Sequence, residues 1–596
     1  MTHQTLIDRL LQLSLVALCI SLAACGAEPG VDTQSQPPAA GTEVVPEKTE
    51  PETTTPSASS NYALAMPDPY AAEAVEQVLQ NGGNAVDAAI TAAFVLAVTF
   101  PEAGNIGGGG FMLARMNREL HFLDYREKAP LAASRDMYLD DEGEVIDKAS
   151  LIGIRAAGVP GTVAGMWEAH QKFGTQPWAE LIAPAIAVAR DGFKVHPQTA
   201  GDVTEILEWF AGRVNFEAHF GEMQQAGLFK QPALADTLSR IAQEGAADFY
   251  QGETAKLIVA QMQRDGGLIT EQDLAEYKSV WREPLSASWR DYTVVAAPPP
   301  SSGGFAVVQL LKMKELLDAK FDGVEHNSAD YVHLVAEMEK RVFADRAEYF
   351  GDPDFVDVPI MELISDDYIA RRAAEVNSDS ISTLEEAQPG LESPQTTHYS
   401  IIDQWGNAVS NTYTINWGYG NGVVVEGAGF LLNNEMDDFS TKPGVANVFG
   451  VVGGTANEIQ PSKRMLSSMA PTLLLQDDEV KMVVGTPGGS TIFTSVFQAI
   501  VNIVDFGMSP EEAVSASRFH HQLLPPDLVT TSVGIPLADE TKEALQARGY
   551  RVEPHGWEFG DIQVILNQDG ELSAASDPRG IGDSRVGEYT APAILQ

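Results

Sequence analysis

The chain has 596 residues, 44% hydrophobic and 20% charged, the composition of a globular protein long enough for one large domain or two ordinary ones. Asp plus Glu number 83 against 38 Lys plus Arg, and the resulting net charge of −45 repels phosphate backbones and anionic lipid faces. Nucleic acid is thereby excluded as a partner, and the acidity itself reads as a solubility device that says little about the reaction.

Arg9 precedes an apolar run from Leu10 to Ala24 that ends in small residues, the pattern of a secretory leader rather than a spanning helix. The run closes on Leu22-Ala23-Ala24-Cys25-Gly26, which resembles a bacterial lipobox with Cys25 as the lipidated residue; an ordinary leader with a chance cysteine is the alternative. Cys19 and Cys25 are the chain's 2 cysteines, so the body after residue 25 has neither a disulfide nor a thiol nucleophile. Residues 26–60 are rich in Pro, Thr, Ser, Glu and Gln and poor in large apolar side chains, the makeup of a flexible tether. Two or more acyl chains on Cys25 would hold such a tether stably to a membrane.

Globular sequence begins near Tyr62. One helix is expected to end at Asn81-Gly82-Gly83, and a second, from Asn84 to Thr99, is apolar nearly all round and so predicted to be buried. Helical patterns punctuated by Gly and Pro run from Ala156 to about Glu276, and a strand at Tyr292–Ala296 leads into the loop Pro298 to Gly304. The texture changes after Pro389-Gly390. Thr396 to Ile402 and Ala408 to Asn416 read as strands joined by a turn at Asp403 to Asn407, a β-hairpin. Symmetry about Trp405 opposes Thr396 to Thr414 and puts Asn416 on the same face; a slip of one residue would turn Thr414 to the other face. Farther on, a strand at Met482-Val483-Val484 precedes Gly488-Gly489 and an apolar helix from about Thr491 to Val504.

Around the hairpin the chain resembles the γ-glutamyltranspeptidase (glutathione hydrolase) family. Gln395-Thr396-Thr397-His398-Tyr399-Ser400 matches that family's processing site. Collinear matches run from about Tyr62 to the C-terminus, through Gly107 to Leu113, Asp124-Tyr125-Arg126-Glu127, Pro298 to Gly304, Asn433 to Phe439, Lys463 to Pro471, Pro487 to Ser490 and Ser576 to Arg579. The resemblance implies an α/β (α+β) fold, the four-layer αββα sandwich of N-terminal-nucleophile hydrolases. It also implies self-cleavage between Gln395 and Thr396 into a large subunit, 61–395, and a small catalytic subunit, 396–596, that remain a heterodimer.

The chemistry suits the residues. A threonine hydroxyl needs a base, and a freed α-amine with a pKa of about 7.7 to 8.0 serves at neutral pH. By resemblance Thr396 is the nucleophile, Thr414 orients it, and the N–H groups of Gly488 and Gly489, at a helix N-terminus, form the oxyanion hole. A γ-glutamyl group presents a carboxylate and an ammonium on one carbon, so its pocket needs a cation with hydroxyls and, separately, anionic or amide acceptors. The family pattern assigns Arg126, Ser467 and Ser468 to the carboxylate, and Asn416, Glu435 and Asp438 to the ammonium. Implied ligands are glutathione and other γ-glutamyl compounds, with water, amino acids or dipeptides as acceptors.

Phe439 to Gly453 resembles the family's lid, with Phe449 where an aromatic hydroxyl is often found, so a looser gate is expected. Gly107 to Gly110 lacks the G-K-[ST] continuation of a phosphate loop and reads as close backbone packing. His520-His521 has no spaced Cys or carboxylate set and reads as structural, and neither metal nor organic cofactor is implied. Two other readings compete: a glutaryl-cephalosporin acylase or poly-γ-glutamate hydrolase of the same fold, and an unprocessed, inactive binding lipoprotein.

Overall fold

In the computed structural model, which describes residues 61–383, 396–442, 454–523 and 525–590, most strands gather into two large antiparallel sheets, beside a three-stranded and a two-stranded one. The leader with Cys25, the tether, Gln395 and the lid segment with Phe449 lie outside the described residues.

The first sheet contains β1 (Asn61–Met66), β2 (Gly109–Met116), β3 (Glu119–Asp124) and β4 (Val280–Arg282). The second takes β5 (Leu285–Trp289) and β6 (Tyr292–Ala296). The hairpin strands β7 (Thr396–Ile402) and β8 (Ala408–Thr414) join the first sheet. The second sheet also takes β9 (Thr472–Gln476), β10 (Glu479–Gly485), β11 (Gln563–Gln568) and β12 (Glu571–Ser576), and the first ends with β13 (Asp583–Glu588). Strand order is β13-β1-β7-β8-β2-β3-β4 in one and β12-β11-β10-β9-β6-β5 in the other.

Side chains alternate along β7, and the two faces have different partners. Tyr399 and Ile401 enter the core shared with helices α1 (Pro69–Gln80) and α2 (Ala85–Thr99). Ser400, one face over, donates to the carbonyl of Gln563 in the second sheet at 3.0 Å, and Ser410 Oγ accepts from Thr472 N at 3.1 Å. These serines stitch the two sheets face to face. Beyond the second sheet lie α3 (Gly303–Leu316), α4 (Ala329–Tyr349) and α5 (Thr491–Val504), which pack into the other core. The layers are therefore helix, sheet, sheet, helix, as the resemblance implies.

Helix α2 is buried at all 15 positions, as its all-round apolarity predicts. Asn84 and Asp87 cap it reciprocally, and Asp87 also accepts from Thr175 N at 2.9 Å, so the one acidic residue inside the apolar run is satisfied. The hairpin turn is closed by Asp403, whose carboxylate accepts from Trp405 N, Asn407 N and Asn407 Nδ2 at 2.8 to 2.9 Å and from Ala85 N of α2 at 2.9 Å. One carboxylate thus fixes both the turn and the seating of the hairpin on the buried helix.

Candidate active site

Thr396 opens β7 and stands opposite Thr414 in the register that hairpin symmetry predicts. Strand β8 stops at Thr414, two residues short of the sequence expectation, because Asn416 adopts a left-handed backbone with φ of 72°. Asn416 nevertheless stays attached: its N–H donates to Thr414 Oγ1 at 2.7 Å and its Nδ2 to the carbonyl of Asn434 at 3.1 Å. The glycine run from Gly107 to Gly110 lets backbone approach this strand end, since a Cβ on Gly108 would lie 2.0 Å from the Thr414 carbonyl. Close packing is its role, as its sequence suggested.

Thr396 is 8% exposed, and its hydroxyl has no hydrogen-bond partner among the described residues. It borders a cavity of about 450 Å³ that Gly488 and Trp417 also line. Gly488 and Gly489 sit between β10 and α5 with φ of 137° and 57°, conformations that favour glycine. The carbonyl of Gly488 accepts from Thr491 N and Oγ1, whereas neither glycine N–H donates to a described atom. Two N–H groups without an acceptor among the described residues thus sit at the positive end of a 14-residue helix, and Gly488 lines the cavity with Thr396.

Arg126, 1% exposed on its side chain, is the hub of a second cluster. Its guanidinium donates through one terminal nitrogen to Glu435 and through the other to Asp438, with the carbonyl of Leu466 at 3.1 Å as a further acceptor. Glu127, fully buried, stands 3.6 Å away with both carboxylate oxygens lacking a hydrogen bond. Three carboxyl groups thus crowd one guanidinium. Burial pushes the Glu127 carboxyl up to about 8 and Glu435 well above the usual range, and raises Asp438, while Arg126 counteracts all three.

The cluster can exchange partners without losing charge balance. A ligand carboxylate can take the Arg126 fork while its ammonium takes Glu435 and Asp438, so an internal ion pair is replaced by the two ends of a zwitterion.

The gamma-glutamyltranspeptidase family model matches residues 71–586. The chain belongs to that family. A glutathione hydrolase proenzyme of Pseudomonas aeruginosa is 58% identical over 520 residues, covering 87% of this chain and 93% of that one. Among solved structures, a cephalosporin acylase from Bacillus halodurans superposes with a TM-score of 0.77 at 26% identity, over 91% of this chain and 98% of its own. A gamma-glutamyltranspeptidase from Pseudomonas nitroreducens, complexed with L-DON, aligns at 55% identity and a TM-score of 0.53, over 54% of this chain and 96% of its own.

Set against the family pattern, the structure brings Arg126, Glu435 and Asp438 into direct contact, whereas the sequence reading divides them between the two ends of the ligand. Asn416 reaches them through Asn434, the residue before Glu435. The hydroxyls of Ser467 and Ser468 do not contact Arg126: Ser467 Oγ accepts from Met469 N at 3.1 Å, and Ser468 Oγ accepts from Arg346 at 3.2 Å. Arg346, on α4, also donates to Ser302 Oγ at 2.9 Å, and Ser302 in turn donates to the Ser467 carbonyl at 2.9 Å. This buried arginine was missed by sequence reasoning, as were Glu127 and the Asn434 link.

His398 and His520 are buried and held neutral, each pushed down to about 3 by desolvation. His398 bonds Thr412 Oγ1 and Ser400 Oγ at 2.7 and 3.1 Å, and His520 bonds Thr494 Oγ1 and Gln522 Oε1 at 3.0 Å each. Among the described residues there is no cluster of three His, Cys, Asp or Glu able to hold a metal ion, and no helix long and apolar enough to cross a membrane.

Proposed function

We propose that this chain is a glutathione hydrolase and γ-glutamyltransferase that cuts itself between Gln395 and Thr396 and then works through Thr396. The hydroxyl attacks the γ-carbonyl of a γ-glutamyl amide, the new α-amine takes its proton, and the amine leaving group departs with a proton returned to it. Gly488 and Gly489 steady the oxyanion through their free N–H groups. Thr414 holds the start of the strand. Arg126, with Ser467 and Ser468 behind it, takes the glutamyl carboxylate, and Glu435, Asp438 and Asn416 take the ammonium. The γ-glutamyl ester is then resolved by water, an amino acid or a dipeptide.

The observation that carries this reading is a nearly buried threonine hydroxyl, without a partner among the described residues, on a cavity that Gly488 also lines, in a family whose Pseudomonas aeruginosa member is a glutathione hydrolase proenzyme. A glutaryl-cephalosporin acylase of the same fold is the second reading, favoured by the likeness to the Bacillus halodurans acylase. It fits less well, since a glutaryl group has no ammonium to occupy Glu435 and Asp438. The leader and the Cys25 lipobox further suggest export and lipid anchoring outside the cytoplasm.

The test is release of p-nitroaniline from γ-glutamyl-p-nitroanilide, with and without glycylglycine, by wild type and Thr396→Ala. Wild type should run as two fragments on a denaturing gel and turn over; Thr396→Ala should stay one chain and do neither. An uncut, active wild type would overturn the assignment of Thr396.

A further inference from the structure

The cavity that Thr396 borders lies apart from the Arg126 cluster, none of whose residues line it. One wall is aromatic: Trp209 and Trp417 stack with ring centres 5.9 Å apart, and Trp557 meets Trp417 edge-on at 6.1 Å. The rest of the lining includes the carboxyl groups of Glu102, Asp202, Glu205, Glu558 and Asp561 and the guanidinium of Arg579, and Lys148 Nζ stands 3.8 Å over the ring of Trp209.

The guanidinium is already spent. Arg579 is 3% exposed, donates to Asp577 at 3.0 Å and to the carbonyls of Val514 and Ala516 at 2.8 Å each, and lies 3.4 Å from Glu558. Its neighbour Arg518 pairs with Asp577 and donates to the carbonyls of Val514 and Gly560, its Nε alone lacking an acceptor among the described residues. Glu102, Asp202 and Glu205 have no side-chain hydrogen bond or ion pair among the described residues, and Asp561 accepts only from Gln563 Nε2 at 3.0 Å. Glu102, Asp202 and Glu205 thus line the cavity that Thr396 borders without a partner cation among the described residues. Burial, followed by the charges of Asp202 and Asp561, pushes Glu102 up to about 8, so that a cation bound beside it would favour its ionised form.

A second observation ties the acidic lining to a ligand. Thr396, more than nine-tenths buried and without a partner among the described residues, lines the same space, so whatever occupies the cavity meets the reacting bond. At about 450 Å³ the cavity is of ligand size. Aromatic walls accept an aliphatic stem, and free carboxylates accept a positive head.

We propose that this cavity is an acceptor subsite for primary amines that carry a second, positively charged nitrogen. The inference rests on Thr396 being the γ-glutamyl carrier. The unprotonated amine attacks the ester carbonyl, a C–N bond forms, the C–Oγ bond to Thr396 breaks, and the proton lost by the amine passes through the Thr396 α-amine to the departing Oγ. The distal ammonium meanwhile sits among Glu102, Asp202 and Asp561.

The test uses the processed wild-type protein, γ-glutamyl-p-nitroanilide as donor, and two acceptors of equal length, 1,4-diaminobutane and n-butylamine, with each γ-glutamyl product quantified by mass spectrometry. The kcat/KM ratio of diamine to monoamine is expected to be about tenfold, the scale of one partly screened ion pair. It should fall to roughly twofold in a Glu102→Gln, Asp202→Asn double variant. Raising the salt concentration should lower the wild-type ratio as well, a readout that needs no variant. A wild-type ratio near one, or a ratio indifferent to both salt and the double variant, overturns the acceptor subsite. Failure of wild type to release any p-nitroaniline instead overturns the reading of Thr396 on which the subsite depends.

Discussion

Replacing Arg126 by lysine separates charge from geometry in the proposed γ-glutamyl pocket. The guanidinium serves Glu435 and Asp438 from two different terminal nitrogens and reaches the Leu466 carbonyl as well. A lysine ammonium is a single point on a flexible stem and cannot hold both carboxylates in a fork. The variant keeps the positive charge but forfeits about one charge-assisted hydrogen bond to the ligand carboxylate, worth about 1.5 to 3 kcal/mol. At 1.36 kcal/mol per factor of ten, KM for γ-glutamyl-p-nitroanilide should rise roughly 10- to 200-fold. The lost contact is present in both bound states, so kcat should change by less than about threefold. Self-cleavage should survive, because Thr396 and its free glycine donors form a separate cluster, and a denaturing gel of the variant should still show two bands. The assay is a Michaelis curve for Arg126→Lys beside wild type, with a melting scan to confirm folding. A folded, processed variant whose KM stays within about twofold of wild type would refute the role given to Arg126.

Thr414→Val removes the acceptor for the buried Asn416 N–H, so it should cost about 1 to 2 kcal/mol in denaturant unfolding and slow the appearance of two bands on a gel time course. Asp403→Ala strands the donors on Ala85, Trp405 and Asn407, and calorimetry should show a melting point several degrees lower, about 3 kcal/mol of lost stability. His398 offers a pH test. Its folded-state value of about 3 lies below the ordinary 6.5, so the unfolded chain binds the extra proton and this group's contribution shrinks as pH falls below about 6.5. The stability gap between wild type and His398→Asn should therefore narrow by about 2 kcal/mol from pH 7 to pH 5, measured by urea unfolding; a gap independent of pH would argue against a buried neutral imidazole.

Much of the reactive strand was legible because its determinants are local. A five-residue turn, with Asp403 at its start and Gly406 at φ of 75°, fixes the register and hence the pairing of Thr396 with Thr414. Helix α2 and the glycines before α5 announce themselves by apolarity and by position. What escaped was built from distance. Arg346 lies on α4, whose sequence is dense in charge, yet Glu337, Glu339, Lys340, Arg341, Asp345 and Arg346 are all buried. No local periodicity tells a charged helix that faces water from one whose ions are matched by loops such as residues 465–469. The acidic cavity has the same origin, since Glu102, Asp202 and Asp561 come from segments far apart in sequence that meet only in the fold. Asn416 was misjudged for a subtler reason. Strand propensity continues past Thr414, but the backbone turns left-handed at Asn416, a conformation asparagine tolerates better than most residues.

The sheets also bear on why cutting the chain would not take it apart. Strand β7, which follows the proposed cut, pairs on one side with β8 and on the other with β1, which precedes it. Strand β1 is itself held between β7 and β13, so one strand from before the cut lies between two from after it. In the second sheet β9 pairs with β6 across the same divide. Separating the two pieces would require breaking ladders in the middle of both sheets and exposing the cores they cover, a global unfolding rather than a release of subunits. The same interleaving dictates the order of events. Thr396 acquires its buried position, its partner strand and the neighbouring glycines only after segments from both sides of Gln395 have paired, so folding must come before the proposed cleavage.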